Sequence, residues 1–252
     1  MSASPSPVRP EKVLLDVRGL RVAYGKAEVV RDVSFDVRAG EFAVILGRNG
    51  AGKSTILHAL SGLIPKRAGT VSFEGRDLSA ATPREIVQAG IVQVLEGHRV
   101  FQTLSVEDNL LIGTYAKAPR GDRSKLDRIY AMFPEMAERR TQMASRLSGG
   151  QQQILAVAQG VIGDPRLLIL DEPSGGLAPI VIDRILEVAA RLCAEGLAIL
   201  LVEQLVEKAL RHAHWGYVVE TGRIVVSEPA DALRDGERIR EVYLGGHAKA
   251  AV

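Results

Sequence analysis

Nine residues, "GRNGAGKST" at 47–55, carry the most specific chemistry in this chain of 252 residues. They match G-x-x-x-x-G-K-[ST] through Gly47, Gly52, Lys53 and Ser54. Glycine lets a backbone curl until successive N–H groups converge on one anion. Asn49 and Gly50 lie inside that curl, and Thr55 follows it. Lys53 can reach the β- and γ-phosphates of a nucleotide, and the Ser54 hydroxyl can ligate Mg²⁺. A helix starting at the loop would add its dipole to the anion site.

Two more stretches carry the same kind of chemistry. "LLILDEP" (167–173) is an apolar run ending in Asp171 and Glu172. Adjacent carboxylates at the C-terminal end of a buried strand stand where open α/β sheets bind ligands. Asp171 suits Mg²⁺, held through water. Glu172 suits a general base that polarises the water attacking a γ-phosphate. Capping before Pro173 is the plainer reading of the pair. "LSGGQQQ" (147–153) offers a second anion site, with Ser148 as an N-cap and open amides at Gly149 and Gly150. A simple helix cap explains that start equally well. Finally, the apolar run of "ILLVEQLVEKAL" (199–210) stops abruptly at Glu203 and Gln204, either as an ordinary strand end or as the rim of a site.

These residues need elements to hold them. Upstream, "VLLDVRGLRVAY" (13–24), "VSFDV" (33–37), "FAVIL" (42–46) and "TVSFEG" (70–75) read as strands in twisted antiparallel pairing, one of them entering a core. "FAVIL" is apolar on both faces, as a central strand of a covered sheet is. A helix is expected from Lys53 to about Leu63, and "GIVQVL" (90–95) reads as another strand. From about Val106 to Gln152 the pattern turns helical and charged, with "KAPRGDRSKLDRIY" at its centre. Next come helix "QQQILAVAQGVIG", strand "RLLILD", helix "PIVIDRILEVAARLCAEG", strand "LAILLVE", helix "QLVEKALRHA" and the hairpin "WGYVVETGRIVVS" (215–227). Such alternation predicts βαβ units and a parallel sheet. Two short helices, about 229–235 and 237–244, are expected to finish the chain.

Composition narrows the partners. The chain is 46% apolar and 25% charged, enough for a sizeable core. A net charge of +2 gives no electrostatic reason to expect nucleic acid or an anionic membrane surface. The single cysteine, Cys193, allows no intrachain disulfide and fits a reducing compartment. No apolar stretch reaches the roughly 18 to 20 residues that span a bilayer. "MSASPSPVRPEK" has no apolar core, so it reads as a disordered extension over 1–11 and not as a secretory signal. The expectation is a soluble, cytoplasmic protein able to dock on a membrane protein.

"GRNGAGKST", "LSGGQQQ" and "RLLILDEPSGGLAP", in that order and spacing, resemble the ATP-binding cassette (ABC) ATPases over about residues 12–246. The resemblance implies an α/β fold: a P-loop NTPase core with a mixed sheet, an antiparallel β-subdomain and an inserted helical subdomain at about 97–152, with 247–252 left as a tail. It implies ATP and Mg²⁺ as ligands, and head-to-tail pairing with a second ATPase subunit. Ser148, Gly149 and Gly150 would then serve the partner's ATP. Tyr24 matches the aromatic that stacks on adenine, a role needing only a flat π-face; packing on its strand neighbours is the alternative. "SGGLAP" (174–179) matches the loop that crosses the dimer seam.

Two positions depart from the family's usual pattern. Counting back from "VFQTLSVEDNL", Glu96 stands where the family usually has glutamine, and it can still contact Mg²⁺ or its water; a solvated loop carboxylate is the alternative. Gln93 is nearby but falls within the strand, and Gln102 lies past the Val-Phe pair. Gln204 stands where the family usually has histidine. Its amide can donate to a γ-phosphate but cannot exchange protons near neutral pH, which leaves Glu172 as the base. With "LEGHRVF", "LLVEQ" and "EVYLGG" (241–246), these departures look like the LivF-type branch of branched-chain amino acid importers. That branch implies a LivG-type partner ATPase (or a homodimer), transmembrane permease subunits reached through "GHRVFQTL", an extracellular or periplasmic solute-binding protein, and a place on the inner face of the membrane. Urea or short-amide importers share much of the pattern. An exporter ATPase is a further alternative. A nucleic-acid-associated ABC ATPase would need a coiled-coil insertion, tandem cassettes or a basic linker, none of which is present.

Overall fold

A computed structural model describes residues 9–97, 99–115 and 123–235. The expected helix at 237–244, "EVYLGG", the tail, residues 1–8, His98 and part of the charged stretch around 117–130 lie outside the described residues.

The elements run β1 (Val13–Tyr24), β2 (Ala27–Arg38), β3 (Phe42–Leu46), α1 (Lys53–Leu60), β4 (Ala68–Phe73), β5 (Arg76–Asp77), α2 (Pro83–Ala89) and β6 (Ile91–Val94). Then come α3 (Val106–Gly113), α4 (Leu126–Met132), α5 (Pro134–Ala137), a 3₁₀ turn at Ala144–Arg146, α6 (Gly149–Val161) and β7 (Leu167–Asp171). The chain continues through α7 (Pro179–Ala194), β8 (Ala198–Glu203), α8 (Val206–Leu210), β9 (Trp215–Glu220), β10 (Arg223–Pro229) and α9 (Ala230–Asp235).

Most expected elements are present; α1 stops at Leu60, the short β5 adds to the expected strands, and three further differences have a local cause. The strand expected at 33–37 begins at Ala27, because β2 pairs with β1 along the whole hairpin, from Tyr24 opposite Ala27 to Val13 opposite Arg38. Helix α2, which went unpredicted, starts on a complete cap: Glu85 N–H donates to Thr82 Oγ1, the Thr82 N–H donates to the Glu85 carboxylate, and Pro83 opens the first turn. The helix expected over 204–213 is only Val206–Leu210, because Gln204 and Leu205 are held as strand-end donors, as described below.

Two sheets form. β2-β1-β4-β5 is antiparallel. The second has the order β10-β9-β3-β8-β7-β6 and is parallel except for the β9–β10 hairpin. The expected mixed sheet and antiparallel β-layer are therefore both present. Alternate residues of the central strands feed two cores: Leu168 and Leu170 of β7 face the cluster under α3 to α7, while Leu167 and Ile169 face the cluster shared with α1 and the antiparallel sheet. β3, β7 and β8 are buried at every position, since helices or a second sheet cover both faces.

Arg9 fastens the two sheets. Its guanidinium donates to Glu41 Oε1 at 2.6 Å, to Tyr217 Oη at 2.8 Å and to Asp36 O at 3.1 Å, and pairs with Asp36 Oδ2 at 2.9 Å. It also lies 4.1 Å from the centre of the Trp215 ring. Asp36 belongs to the antiparallel sheet; Trp215 and Tyr217 belong to the mixed sheet, and Glu41 precedes β3. A residue expected within the extension is thus a tertiary clamp.

Candidate functional site

Parallel register assembles the site at one sheet edge. Leu46 at the end of β3 pairs with Glu203 of β8, Asp171 of β7 pairs with Val202, and Val94 of β6 pairs with Leu170. The loop after β3, the acidic pair after β7, Gln204 after β8 and Glu96 after β6 therefore emerge side by side, where open α/β sheets bind ligands.

The loop is shaped by close backbone approach. A Cβ at Gly47 would meet the Val219 carbonyl oxygen at 2.4 Å. Gly52, at φ 104°, is the left-handed N-cap of α1, with no side-chain cap on the helix amides. Lys53 Nζ donates to the carbonyls of Gly47 at 2.9 Å and Arg48 at 3.2 Å, and pairs with Glu172 Oε1 at 3.1 Å. The lysine is folded back onto its own loop and poised beside the phosphate position.

A cavity of about 390 Å³ opens over this loop. It is lined by Asn49, Gly50, Gly52, Lys53, Ser54, Thr55, Glu96, Glu172 and Gln204, all expected site residues, together with Val29 from β2. Val29 had no signal in the sequence: it reads as one more strand residue, and only the folded hairpin brings it over the loop.

Beneath the cavity, buried Asp171 accepts the Ser54 hydroxyl on Oδ1 at 3.0 Å. Its Oδ2 accepts Gln93 Nε2 at 3.3 Å and lies 3.6 Å from His58 Nε2. Gln93 is held in turn by the Ser61 hydroxyl, 2.5 Å from its Oε1. Burial raises the Asp171 carboxyl above its ordinary range. The Ser54 bond and the field of His58 oppose that shift, and the carboxylates of Glu172 and Glu96 add to it. A hydroxyl and a desolvated carboxylate in contact, beside Glu96, are a hard-oxygen donor set suited to Mg²⁺. Gln93 does lie in β6, as its position indicated, but its side chain reaches the acidic strand. The available clue was a lone amide inside an apolar run.

Glu172 has a backbone φ of 42°, in the left-handed region that a glutamate rarely adopts. Its Oε2 accepts Gln204 Nε2 at 2.5 Å, so the carboxylate is held between that amide and Lys53. A cation, an amide donor and a carboxylate at the mouth of an anion loop can bind a terminal phosphate and orient a water against it.

The other expected residues stand apart. Ser148, Gly149 and Gly150 lie at the start of α6 and do not line this cavity. Gln151 N–H donates to Ser148 Oγ at 3.3 Å and Ser148 N–H to Gln151 Oε1 at 2.9 Å, a capping box. Tyr24 ends β1 with 51% of its surface exposed, close in sequence to Val29 but outside the lining.

The family model described as "ABC transporter" matches residues 30–175. The chain is 41% identical over 223 residues to the high-affinity branched-chain amino acid transport ATP-binding protein BraG of Pseudomonas aeruginosa, covering 88% of this chain and 96% of that protein. It is 32% identical over 230 residues to the probable branched-chain amino acid transport ATP-binding protein LivF of Archaeoglobus fulgidus, covering 90% and 96%. In fold it is similar to a crystal structure of a nucleotide-free ATP-binding cassette from an ABC transporter, with a TM-score of 0.83 at 23% identity, covering 94% of this chain and 100% of the other.

Proposed function

The chain belongs to the ABC transporter family as an ATP-hydrolysing subunit that powers transport, and we propose that it drives import of branched-chain or related amino acids. The observation that carries the catalytic reading is the contact of Lys53, Glu172 and Gln204 at the mouth of the phosphate loop. The solute class is supported by the extent of the match to BraG and LivF, which covers 88% and 90% of this chain.

The mechanism follows from these contacts. The amides of the loop from Gly47 to Thr55 and the Lys53 ammonium take the β- and γ-phosphates of ATP, and Lys53 exchanges its bonds to Gly47 and Arg48 for phosphate oxygens. Tyr24 stacks on the adenine. Ser54 and Asp171, with Glu96 at the rim, would hold Mg²⁺, which when bound would neutralise phosphate charge. Glu172 accepts a proton from the attacking water, and Gln204 donates to the γ-phosphate and orients Glu172. Ser148, Gly149 and Gly150 complete the site of a second subunit, of LivG type or a copy of this chain.

As a member of this family the chain pairs with a second ATPase and works with permease components. Among the described residues, no helix is long and apolar enough to cross a membrane. We place the subunit on the cytoplasmic face of the membrane, with the helical unit at about 97–152 against the permease and a solute-binding protein on the far side.

Glu172→Gln is expected to keep ATP binding and to lose nearly all turnover; unchanged hydrolysis removes Glu172 from the role of base. Uptake of Leu, Ile, Val, urea and short amides by a strain lacking this chain tests the solute. Loss confined to urea or amides overturns the amino-acid reading.

A further inference from the structure

Glu203 ends β8 with 1% of its surface exposed. Among the described residues it forms no ion pair, yet its carboxylate has four donors. Oε1 accepts the Ser174 N–H at 3.0 Å. Oε2 accepts the Ser174 hydroxyl at 2.8 Å, the Gln204 N–H at 2.9 Å and the Leu205 N–H at 3.3 Å. Four donors are what a buried carboxylate without a cation needs. A purely structural anchor could take those donors from any neighbouring segment. Here every donor belongs to a segment that carries a catalytic group.

Ser174 lies two residues after Glu172, and Gln204 follows Glu203 directly. The two segments are tied at three levels. Glu172 N–H donates to Val202 O at 2.9 Å, Ser174 donates twice to Glu203, and Gln204 Nε2 donates to the Glu172 carboxylate. The result is a closed ring through 172–174 and 202–204. It encloses the left-handed backbone at Glu172, a conformation that persists only where its surroundings over-determine it. Remove Glu203 and Ser174 loses both bonds to β8, while the Gln204 amide loses its acceptor. The 172–174 turn can then relax, swinging the Glu172 carboxylate away from the cavity.

We propose that Glu203 is a positioning residue for hydrolysis, a clamp that sets the backbone of Glu172 and the amide of Gln204 together. The inference rests on Glu172 being the base. It concerns which buried group aims the base, and Glu203 itself does not touch substrate.

The test is steady-state ATP hydrolysis by the full chain in a two-by-two set: wild type, Glu203→Gln, Glu172→Gln and the double variant. Glu203→Gln keeps the volume but turns an NH₂ toward donors that need an acceptor. Its kcat is expected to fall about tenfold or more while the KM for ATP stays within about threefold. In the Glu172→Gln background, where the aimed carboxylate is already gone, it is expected to leave the residual rate within about twofold. Ser174→Ala, which removes one of the four bonds, should show a smaller loss with the same dependence on Glu172, and carries the test if Glu203→Gln folds poorly. A Glu203→Gln kcat within twofold of wild type, or equal losses in both backgrounds, overturns the clamp while leaving the base in place. Wild-type turnover by Glu172→Gln overturns the base itself, and the clamp with it.

Discussion

Replacing Arg9 by alanine should destabilise the protein without touching its chemistry. The guanidinium is 15% exposed and the Glu41 carboxylate is fully buried. Its pKa is raised: burial opposes the charge, but the bond to Glu41 and the fields of Tyr217, Glu41 and Asp36 outweigh that opposition. Burial pushes the Tyr217 phenol up to about 12, so its proton stays in place to donate to Asp36 O at 2.6 Å while the oxygen accepts from Arg9. Without Arg9, Glu41 keeps, among the described residues, only the Arg38 N–H at 2.7 Å, whereas Asp36 retains the Arg38 guanidinium at 3.2 Å. Breaking a buried pair costs about 3–5 kcal/mol, and the partial exposure of Arg9 and Asp36 argues for the lower end, about 3 kcal/mol. For a domain of this size that corresponds to a fall in Tm of about 6–12 °C. Thermal unfolding followed by circular dichroism reads it directly. Arg9→Lys, which keeps the charge but loses the planar fork, should fall about halfway. Since the pair is buried, the loss should persist at high salt. The KM for ATP should not change. A Tm within about 1–2 °C of wild type refutes the clamp and returns Arg9 to a loose extension.

Further outcomes can be checked with the same material. Gln204→Ala removes the 2.5 Å bond to Glu172; at an exposed position this should lower kcat by about tenfold with little change in KM, and Gln204→His should recover most of the rate. Burial lowers the pKa of His212 and His214 from 6.5, aided at His212 by Arg211 and opposed at His214 by Glu41. The unfolded chain therefore takes up these protons first, and stability is lost as pH falls below about 6.5. Tm measured from pH 7.5 down to 5.5, above the carboxylate range, should decline. His214→Asn, which offers Phe42 N–H another acceptor in place of Nδ1 at 3.0 Å, should flatten the decline; an unchanged slope would exclude His214 as its source. The Cys193 thiol, pushed up to about 12 by burial, should react negligibly with a disulfide reagent at pH 8 and stoichiometrically in denaturant. Rapid labelling of the native protein would show that the α7 face opens.

Much of the site was legible because its signals are local. A phosphate loop is nine consecutive residues whose glycines are demanded by backbone geometry on the spot, and an acidic pair after an apolar run marks a strand end wherever that strand sits. Period and caps likewise outlined most strands and helices. The anion loop, the acidic pair, the amide at 204 and the α/β alternation that carries them can all be read along the chain. The side chains that complete them come together only on folding. Arg9 meets Tyr217 across 208 positions, Gln93 reaches Asp171 across 78, and Ser174 meets Glu203 across 29. Even the buried Glu203, in plain view beside Gln204, had no readable role. A carboxylate shows its purpose only through its donors, and here two of the four come from a different strand's loop. Parallel pairing brings such residues together by register and burial, and neither is written within one stretch of chain.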